Sequence, residues 1–221
     1  MDNNDFDFEF PERNFATLII SKRASGKTFL CNYLLHHFNE SKRFDYVVLF
    51  SQTSHISGDF KCIPKKQHFQ KFDNEIVSKI FKFQEKHKNT KKPKNCLMVI
   101  DDCVGGINND FKVLLDKLYT LGRHYNISII TLCQIAKNVI TPTIRNNVDF
   151  WMFSINNHTT MDIIYENIVW QGNRQSFYKF VRENTTDYRF IIYDNTKSSE
   201  NDFYIIKANN PGEFNIKNIK R

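Results

Sequence analysis

The stretch Ser21-Lys22-Arg23-Ala24-Ser25-Gly26-Lys27-Thr28 decides the fold class of this 221-residue chain. It directly follows the apolar run 15–20 and opens a helical pattern from Lys27 to Phe38. A strand, a tight loop and a helix that begins on Gly-Lys-Thr form the context of a P-loop for nucleoside triphosphates. Backbone N–H groups of such a loop form an anion nest, and the helix N-terminus adds its own donors. The stretch therefore predicts nucleotide binding.

Two side chains of this loop have predicted roles toward ATP and its metal ion. Lys27 can reach the β- and γ-phosphates, and the hydroxyl of Thr28 can bind Mg²⁺. The full pattern, G-x-x-x-x-G-K-[ST], has glycine where this chain has Ser21. Serine fits at that position if the backbone does not need a positive φ. We expect the whole loop, 21–28, to hold ATP; the alternative is an ordinary strand–helix turn with a solvated lysine.

The composition is typical of a globular intracellular protein. Hydrophobic residues make up 41% of the chain, which is long enough for one large domain or two small ones. The cysteines at positions 31, 62, 96, 103 and 133 include no C-x-x-C pair, which indicates reduced thiols and argues against a disulfide framework or a zinc site. No apolar run approaches the length of a membrane span, and no signal peptide opens the sequence.

The positive charge of the chain is concentrated in one segment. The net charge is +7, and residues 61–94 hold eleven lysines and three acids, a net charge of +8, so the remainder sums to −1. Such a concentration predicts contact with a polyanion such as nucleic acid. The alternative is a solvated helix face followed by a lysine-rich loop.

The pattern of apolar runs predicts an α/β sandwich with a mostly parallel sheet. Each strand-like run is short and almost continuously apolar, as expected of parallel strands covered on both faces. The predicted strands are 15–20, 46–51, 96–102, 127–134 and 150–155, and a hairpin of 189–193 and 203–208 is expected at the sheet edge. Helices are predicted at 27–38, from residue 73, at 110–121, at 159–169 and at 176–181, with Gly122 as a left-handed residue that ends the third.

One domain accounts for this pattern. We expect a flexible acidic N-terminus over 1–12 and a single domain over 13–208. Within that domain, 13–155 is the core and 156–208 is a C-terminal extension. The remaining residues, 209–221, form a basic tail.

Polar residues at the ends of two predicted strands complete a hydrolytic site. The run 97–102 ends in two carboxylates: Asp101 is expected to hold Mg²⁺ through its water shell, and Asp102 to orient and deprotonate the attacking water. The next strand ends on Gln134, which can contact the γ-phosphate or that water. The alternatives are a carboxylate pair that caps a turn and a glutamine that bonds to a loop backbone.

Phosphoryl transfer also needs a cation that neutralises the developing charge. Arg123 and Arg145 are the first candidates, and Arg174 is a weaker third. In a ring of subunits, one of them could reach the phosphates of a neighbour. The alternative is that these are surface arginines paired with acids.

Four segments in one order, SKRASGKT, LMVIDD, LGRHYNISIITLCQ and TPTIRNNVDFWMF, resemble the genome-packaging ATPases of poxviruses, giant viruses and virophages. These belong to the FtsK–HerA superfamily of ring-forming P-loop motors, and the resemblance covers roughly 13–155. It implies a P-loop three-layer sandwich with strand order 5-1-4-3-2. By this resemblance Lys27 and Thr28 match the Walker A lysine and threonine, Asp101 the Walker B aspartate and Gln134 the sensor glutamine, while Asp102 stands where most of the superfamily has Glu.

The resemblance further implies ATP hydrolysis coupled to movement of double-stranded DNA into a capsid. It implies a homo-oligomeric ring, a capsid or membrane protein of the virion as partner, and a location in the viral factory of the host cytoplasm or in the virion. The chain has no recognisable separate DNA-binding domain, so 103–109 and the lysine-rich 61–94 are the segments expected to face DNA. Two alternatives stay open: a P-loop nucleotide or nucleoside kinase, and a non-catalytic basic virion protein with a degenerate P-loop.

Overall fold

A computed structural model describes residues 8–101, 109–197, 203–212 and 214–216 of the chain. Its eight strands are β1 (Ala16–Ile20), β2 (Tyr46–Ser51), β3 (His68–Phe69), β4 (Cys96–Asp101), β5 (Ile127–Cys133), β6 (Phe150–Phe153), β7 (Arg189–Asp194) and β8 (Phe203–Lys207). Its α-helices are α1 (Lys27–Glu40), α2 (Ser54–Ser57), α3 (Asn74–His87), α4 (Asn109–Leu121), α5 (Ala136–Val139), α6 (Pro142–Asn147), α7 (His158–Asn167) and α8 (Arg174–Asn184).

The strands form one sheet in the order β3-β2-β4-β5-β1-β6-β7-β8. The five strands predicted for the core lie in it as β6-β1-β5-β4-β2, which confirms the expected order 5-1-4-3-2. All five are parallel. The predicted hairpin extends the sheet beyond β6 in antiparallel pairing. The short β3, which the sequence did not predict, adds a parallel edge beyond β2.

Both faces of the sheet are covered, which explains the continuous apolar runs of its strands. On one face Leu18 and Ile20 of β1 share a core with helices α3, α4 and α6–α8. On the other face Ile19 packs with α1, through residues such as Leu34. Alternate residues of each parallel strand therefore enter different cores.

Residues of the N-terminus expected to be flexible and of the basic tail contribute to the second of these cores. Phe8 and Phe10 are 4% and 8% exposed and pack edge to face with Phe150. Near the other end, Ile216 is buried and its N–H bonds to the carbonyl of Cys62 at 2.8 Å. Burial of these apolar side chains outweighs the polar character of the sequence around them.

Gly122 does not end α4 in the predicted left-handed conformation. The chain continues there into a 3₁₀ turn, Gly122–Tyr125, and the left-handed residue is Asn126, with φ 54°. Close packing instead favours glycine here, since a Cβ at this position would lie 3.3 Å from the carbonyl oxygen of Ile127.

Gln84 joins two backbone segments from the buried side of α3. Its side-chain N–H groups donate to the carbonyls of Lys94, Tyr125 and Asn126 at 2.9, 2.8 and 3.0 Å, and its Oε1 accepts from the Tyr46 hydroxyl at 3.0 Å. Gln84 thereby fixes the approach of the chain to β4 and β5, the two strands that carry the predicted catalytic residues.

Substitution Gln84→Leu is expected to lower the free energy of unfolding by about 2 to 3 kcal/mol, because it removes the donor from buried carbonyls without changing side-chain volume much. Urea denaturation followed by circular dichroism measures this effect. Glu85→Leu is the matched control, because Glu85 is the exposed neighbour on the same helix. Equal stability of the two variants would show that the Gln84 hydrogen bonds contribute nothing.

Candidate functional site

The loop between β1 and α1 has the backbone of an anion nest, and Ser21 fits it. The positive φ angles of the loop are at Ala24 (58°) and Gly26 (92°), not at Ser21. Ser21 is fully buried and continues the sheet, since its N–H donates to the carbonyl of Cys133 at 3.3 Å. Glycine is therefore not needed where the P-loop pattern has its first glycine.

Gly26 is the position of the loop where a side chain would interfere. It has φ 92° and directly precedes α1. Because glycine has no side chain, no side-chain cap occupies the first N–H groups of the helix. A Cβ here would lie 3.3 Å from the ring of Tyr188. The first turn of α1 carries no acidic residue, so it supplies no carboxylate of its own to its N–H groups. This arrangement suits a bound phosphate.

The ammonium group of Lys27 lies over the loop. Its Nζ donates to the carbonyls of Ser21 and Lys22 at 2.9 and 2.8 Å. These contacts bring the positive charge back across the nest. Lys27 is thereby placed beside an anion that the nest binds, as its predicted phosphate role requires.

Asp101 is the last residue of β4 and is 8% exposed. Its Oδ2 accepts a hydrogen bond from the Ser51 hydroxyl at 3.2 Å, across the pairing of β2 with β4. Burial, and next the charge of Asp101, raises the pKa of the Cys31 thiol well above its ordinary value. The thiol of Cys31 therefore stays protonated beside the site.

Gln134 follows β5, the strand that lies between the P-loop strand β1 and the Asp101 strand β4. Its carbonyl accepts from Asn156 Nδ2 at 3.2 Å. Gln134 is half-buried, and its position between the two strands is the one predicted for it. Asp102, together with residues 103–108 of the predicted DNA-facing segment, lies outside the described residues.

One cavity of about 990 Å³ brings the described parts of the site together. The P-loop residues from Arg23 to Thr28 form its floor, and Asp101 and Gln134 lie on its wall. It is completed by three groups of residues, from α1 and the loop after β2, from the end of β5, and from the C-terminal hairpin: Phe29, Asn32, Thr53, Asp59, Leu132, Cys133, Tyr188, Lys207 and Ala208.

The donor set of this cavity fits Mg²⁺. Thr28 offers a hydroxyl and Asp101 a carboxylate, and both line the cavity. Mg²⁺ is a hard ion that is bound by one or two carboxylates together with phosphate oxygens and waters. Over the described ranges, no three His, Cys, Asp or Glu side chains form a metal cluster.

The predicted arginines lie outside this cavity. Arg123 is exposed in the turn before β5, at the edge of the sheet opposite the P-loop, and donates to Asn147 at 3.1 Å. Arg145 is exposed on α6, the helix that carries Asn147. Arg174 pairs with Asp162 and Glu166, both at 3.1 Å. Within one chain, none of the three is placed to contact a nucleotide in this cavity.

The lysine-rich segment is divided between the two ends of the parallel strands, the carboxyl end that carries the P-loop and the opposite, amino end. Lys71 follows β3, at the same edge as the P-loop, whereas Lys91 and Lys92 precede β4 at the opposite edge. Between them α3 carries exposed lysines such as Lys79 and Lys82. The exposed lysines of 61–94 are thus distributed along α3 and beyond both of its ends.

The C-terminal hairpin contributes cavity residues that the sequence analysis did not assign. Tyr188 precedes β7, Lys207 ends β8, and Ala208 follows it. The sequence feature that could have indicated them is the predicted hairpin. Because β7 pairs antiparallel with β6, the start of β7 and the end of β8 lie at the same end of the sheet as the P-loop. No motif marks these residues.

No helix in the described parts of the chain has the length and apolar character needed to cross a membrane.

The comparisons with known proteins agree with this geometry. The family described as Poxvirus A32 protein matches residues 5–219. Uncharacterized protein 015R of Frog virus 3 (isolate Goorha) is 29% identical over 83% of this chain and 58% of that protein. Uncharacterized protein 075L of Invertebrate iridescent virus 6 is 28% identical over 87% of this chain and 78% of that protein. The chain thus spans little more than half of the Frog virus 3 protein.

Solved structures show the same fold at low sequence identity. The genome packaging NTPase B204 of Sulfolobus turreted icosahedral virus 2, in complex with AMPPCP, aligns with a TM-score of 0.60 at 16% identity, over 90% of this chain and 99% of that one. The conjugation coupling protein TcpA of pCW3 aligns with a TM-score of 0.61 at 15% identity, over 90% of this chain and 61% of that one.

Proposed function

This chain belongs to the Poxvirus A32 protein family, and from that membership we propose that it is an ATP-hydrolysing motor that moves double-stranded viral DNA into a capsid. The proposal is supported by the fold it shares with B204, which was solved with AMPPCP and with ATP-gammaS. It is supported also by viral relatives among the curated proteins.

One observation carries the proposal. The strand order β4-β5-β1 places Asp101, Gln134 and the P-loop around a single cavity. An ATP hydrolase needs a loop that binds the phosphates and, in the same cavity, a polar side chain that contacts the γ-phosphate or the attacking water. A small-molecule kinase has no need of Gln134 on the strand between the other two, so the hydrolase is favoured over the kinase alternative.

The residues of the chain divide the chemistry among them. The nest of 21–28 holds the phosphates and fixes the γ-phosphate, Lys27 stabilises its charge, and Gln134 contacts the γ-phosphate or the attacking water. Thr28 and Asp101 would hold Mg²⁺, which neutralises charge on the β- and γ-phosphate oxygens when bound. From the sequence, Asp102 accepts the proton of the attacking water.

Duplex DNA is expected to stimulate ATP hydrolysis several-fold, because a motor couples turnover to contact with its track. Phosphate release is measured with and without linear duplex DNA at two salt concentrations. Stimulation should weaken as salt rises, since lysine contacts with DNA phosphates release counterions. Equal rates with and without DNA at both salt concentrations would contradict a DNA motor.

We also propose that the chain works as a closed homo-oligomeric ring. Arg123 and Arg145 are both exposed and neither lines the cavity of its own chain. A head-to-tail contact would bring one of them to a neighbour's nucleotide. Mixing Lys27→Ala with Arg123→Ala, or with Arg145→Ala, tests this. Two inactive variants should regain partial activity if the arginine acts across the interface, and mixtures that stay inactive for both arginines would contradict the trans role.

The location of the chain and its protein partner are also proposals. We place it in the viral factory of the host cytoplasm or in the virion, with a capsid or membrane protein of the virion as partner. The relatives are viral proteins, which supports a virion-related role. Copurification of the chain with assembling capsids from infected cells tests this, and its absence from all capsid fractions would contradict it.

A further inference from the structure

Tyr188 has an unusual position for an aromatic residue of the C-terminal extension. Its side chain lines the same cavity as the P-loop, yet 66% of the residue is exposed. Its ring stands beside Gly26, where a Cβ would meet Tyr188 Cδ1 at 3.3 Å. A large aromatic face is thus left open directly beside the phosphate nest.

The turn that carries Tyr188 is strained. Asp187 and Tyr188 both have φ 57°, the left-handed region that side-chain-bearing residues avoid. Two such residues in succession persist only where surrounding contacts fix them, and such strain concentrates at functional sites.

Several contacts fix this turn against the hairpin. The Asp187 carboxylate pairs with the ammonium of Lys207. Arg189 donates through Nε to the Thr186 carbonyl at 3.1 Å and through Nη2 to the Thr186 hydroxyl at 2.9 Å. Arg189 and Lys207 are also paired residues of β7 and β8. The backbone on both sides of Tyr188 is therefore fixed before any ligand arrives, which lowers the entropic cost of placing its ring against a ligand.

A second exposed ring lines the cavity and must be weighed against Tyr188. Phe29 is 43% exposed and follows Thr28 on α1. The position of the ring relative to the phosphate nest separates the two. The atoms nearest to a Cβ built on Gly26 belong to Tyr188 and Phe190, and none belongs to Phe29. Tyr188 is therefore the exposed ring that stands against the nest.

We propose that Tyr188 is the platform on which the base of the nucleoside triphosphate stacks. This inference rests on the proposed ATPase function, because the P-loop must hold the phosphates for the base to reach this wall. The C-terminal extension then has a role in the nucleotide site itself, and the chain binds nucleosides through the hairpin and phosphates through the core.

Calorimetric titration with two probes tests the proposal in the presence of Mg²⁺. ATP contains a base, and inorganic tripolyphosphate does not. Tyr188→Ala is expected to raise the Kd for ATP about tenfold, since base–aromatic stacking contributes on the order of 1–3 kcal/mol. The Kd for tripolyphosphate should not change. Tyr188→Phe keeps the aromatic face and should bind ATP like the parent chain. Ile205→Ala is the matched control and should do so as well, because Ile205 is an exposed apolar residue of the same hairpin that does not line the cavity.

The outcomes separate this inference from the proposed function. If the parent chain binds ATP in a Lys27-dependent way and Tyr188→Ala binds it equally well, the stacking platform is wrong and the ATPase proposal stands. An equal loss of ATP and tripolyphosphate affinity in Tyr188→Ala would also overturn it, by showing a role in shaping the loop. A parent chain that binds neither probe would overturn both proposals.

Discussion

Lys27→Ala is expected to abolish measurable ATP hydrolysis, with a loss in kcat/KM of at least about a hundredfold. The Lys27 ammonium lies within hydrogen-bond distance of two loop carbonyls, of Ser21 and Lys22, so its charge is already positioned over the nest. Removal of that charge weakens both the binding of the triphosphate and the stabilisation of the transferred phosphoryl group. Steady-state phosphate release, together with calorimetric titration of ATP, measures the two effects.

Lys22→Ala is the matched control for this variant. Lys22 is in the same loop and its side chain is exposed, while the group that contacts Lys27 is its carbonyl, which alanine retains. Hydrolysis in Lys22→Ala should therefore stay close to that of the parent chain. A similar loss in both variants would point to the general positive charge of the loop, and full activity in Lys27→Ala would remove the P-loop from the reaction.

The core of the site could be predicted from the sequence because local signals coincide there. A strand, a Gly-Lys-Thr start and an amphipathic helix fix α1, and the apolar runs fix strands whose carboxyl ends meet at one edge. Asp101 and Gln134 follow from the same rule, since each ends or follows a buried parallel strand. Ser21 needed the structure, because only the φ angles place the left-handed positions at Ala24 and Gly26.

The remaining features depend on contacts between distant parts of the chain. Tyr188 reaches the cavity because β7 pairs with β6, and no local pattern reports that an exposed tyrosine lies beside Gly26. Phe8 and Phe10 lie beside an acidic segment but fill a hydrophobic core. The sequence marked Gly122 as a position that needs glycine, but the predicted reason was wrong. Close packing against Ile127 favours glycine there, and its φ angle is not positive.

Asp102→Asn is expected to lower kcat by about 10²- to 10⁴-fold, the usual contribution of a general base. Affinity for ATP should be kept, because the phosphates are held by the nest, by Lys27 and by groups around Thr28. Single-turnover hydrolysis of ATP bound in excess enzyme measures the chemical step, and calorimetric titration measures affinity. Full hydrolytic activity in Asp102→Asn would remove this residue from the base role.

Asp101→Asn distinguishes the two neighbouring carboxylates. Asp101 is buried at the end of β4 and accepts a hydrogen bond from Ser51, so its carboxylate is fixed toward the cavity it shares with Thr28. Its loss should raise the Mg²⁺ concentration needed for half-maximal hydrolysis, because a charged metal ligand is removed. Asp102→Asn should leave that concentration unchanged, since a base accepts a proton and holds no metal. An equal shift of the Mg²⁺ dependence in both variants would assign both carboxylates to the metal and require another base.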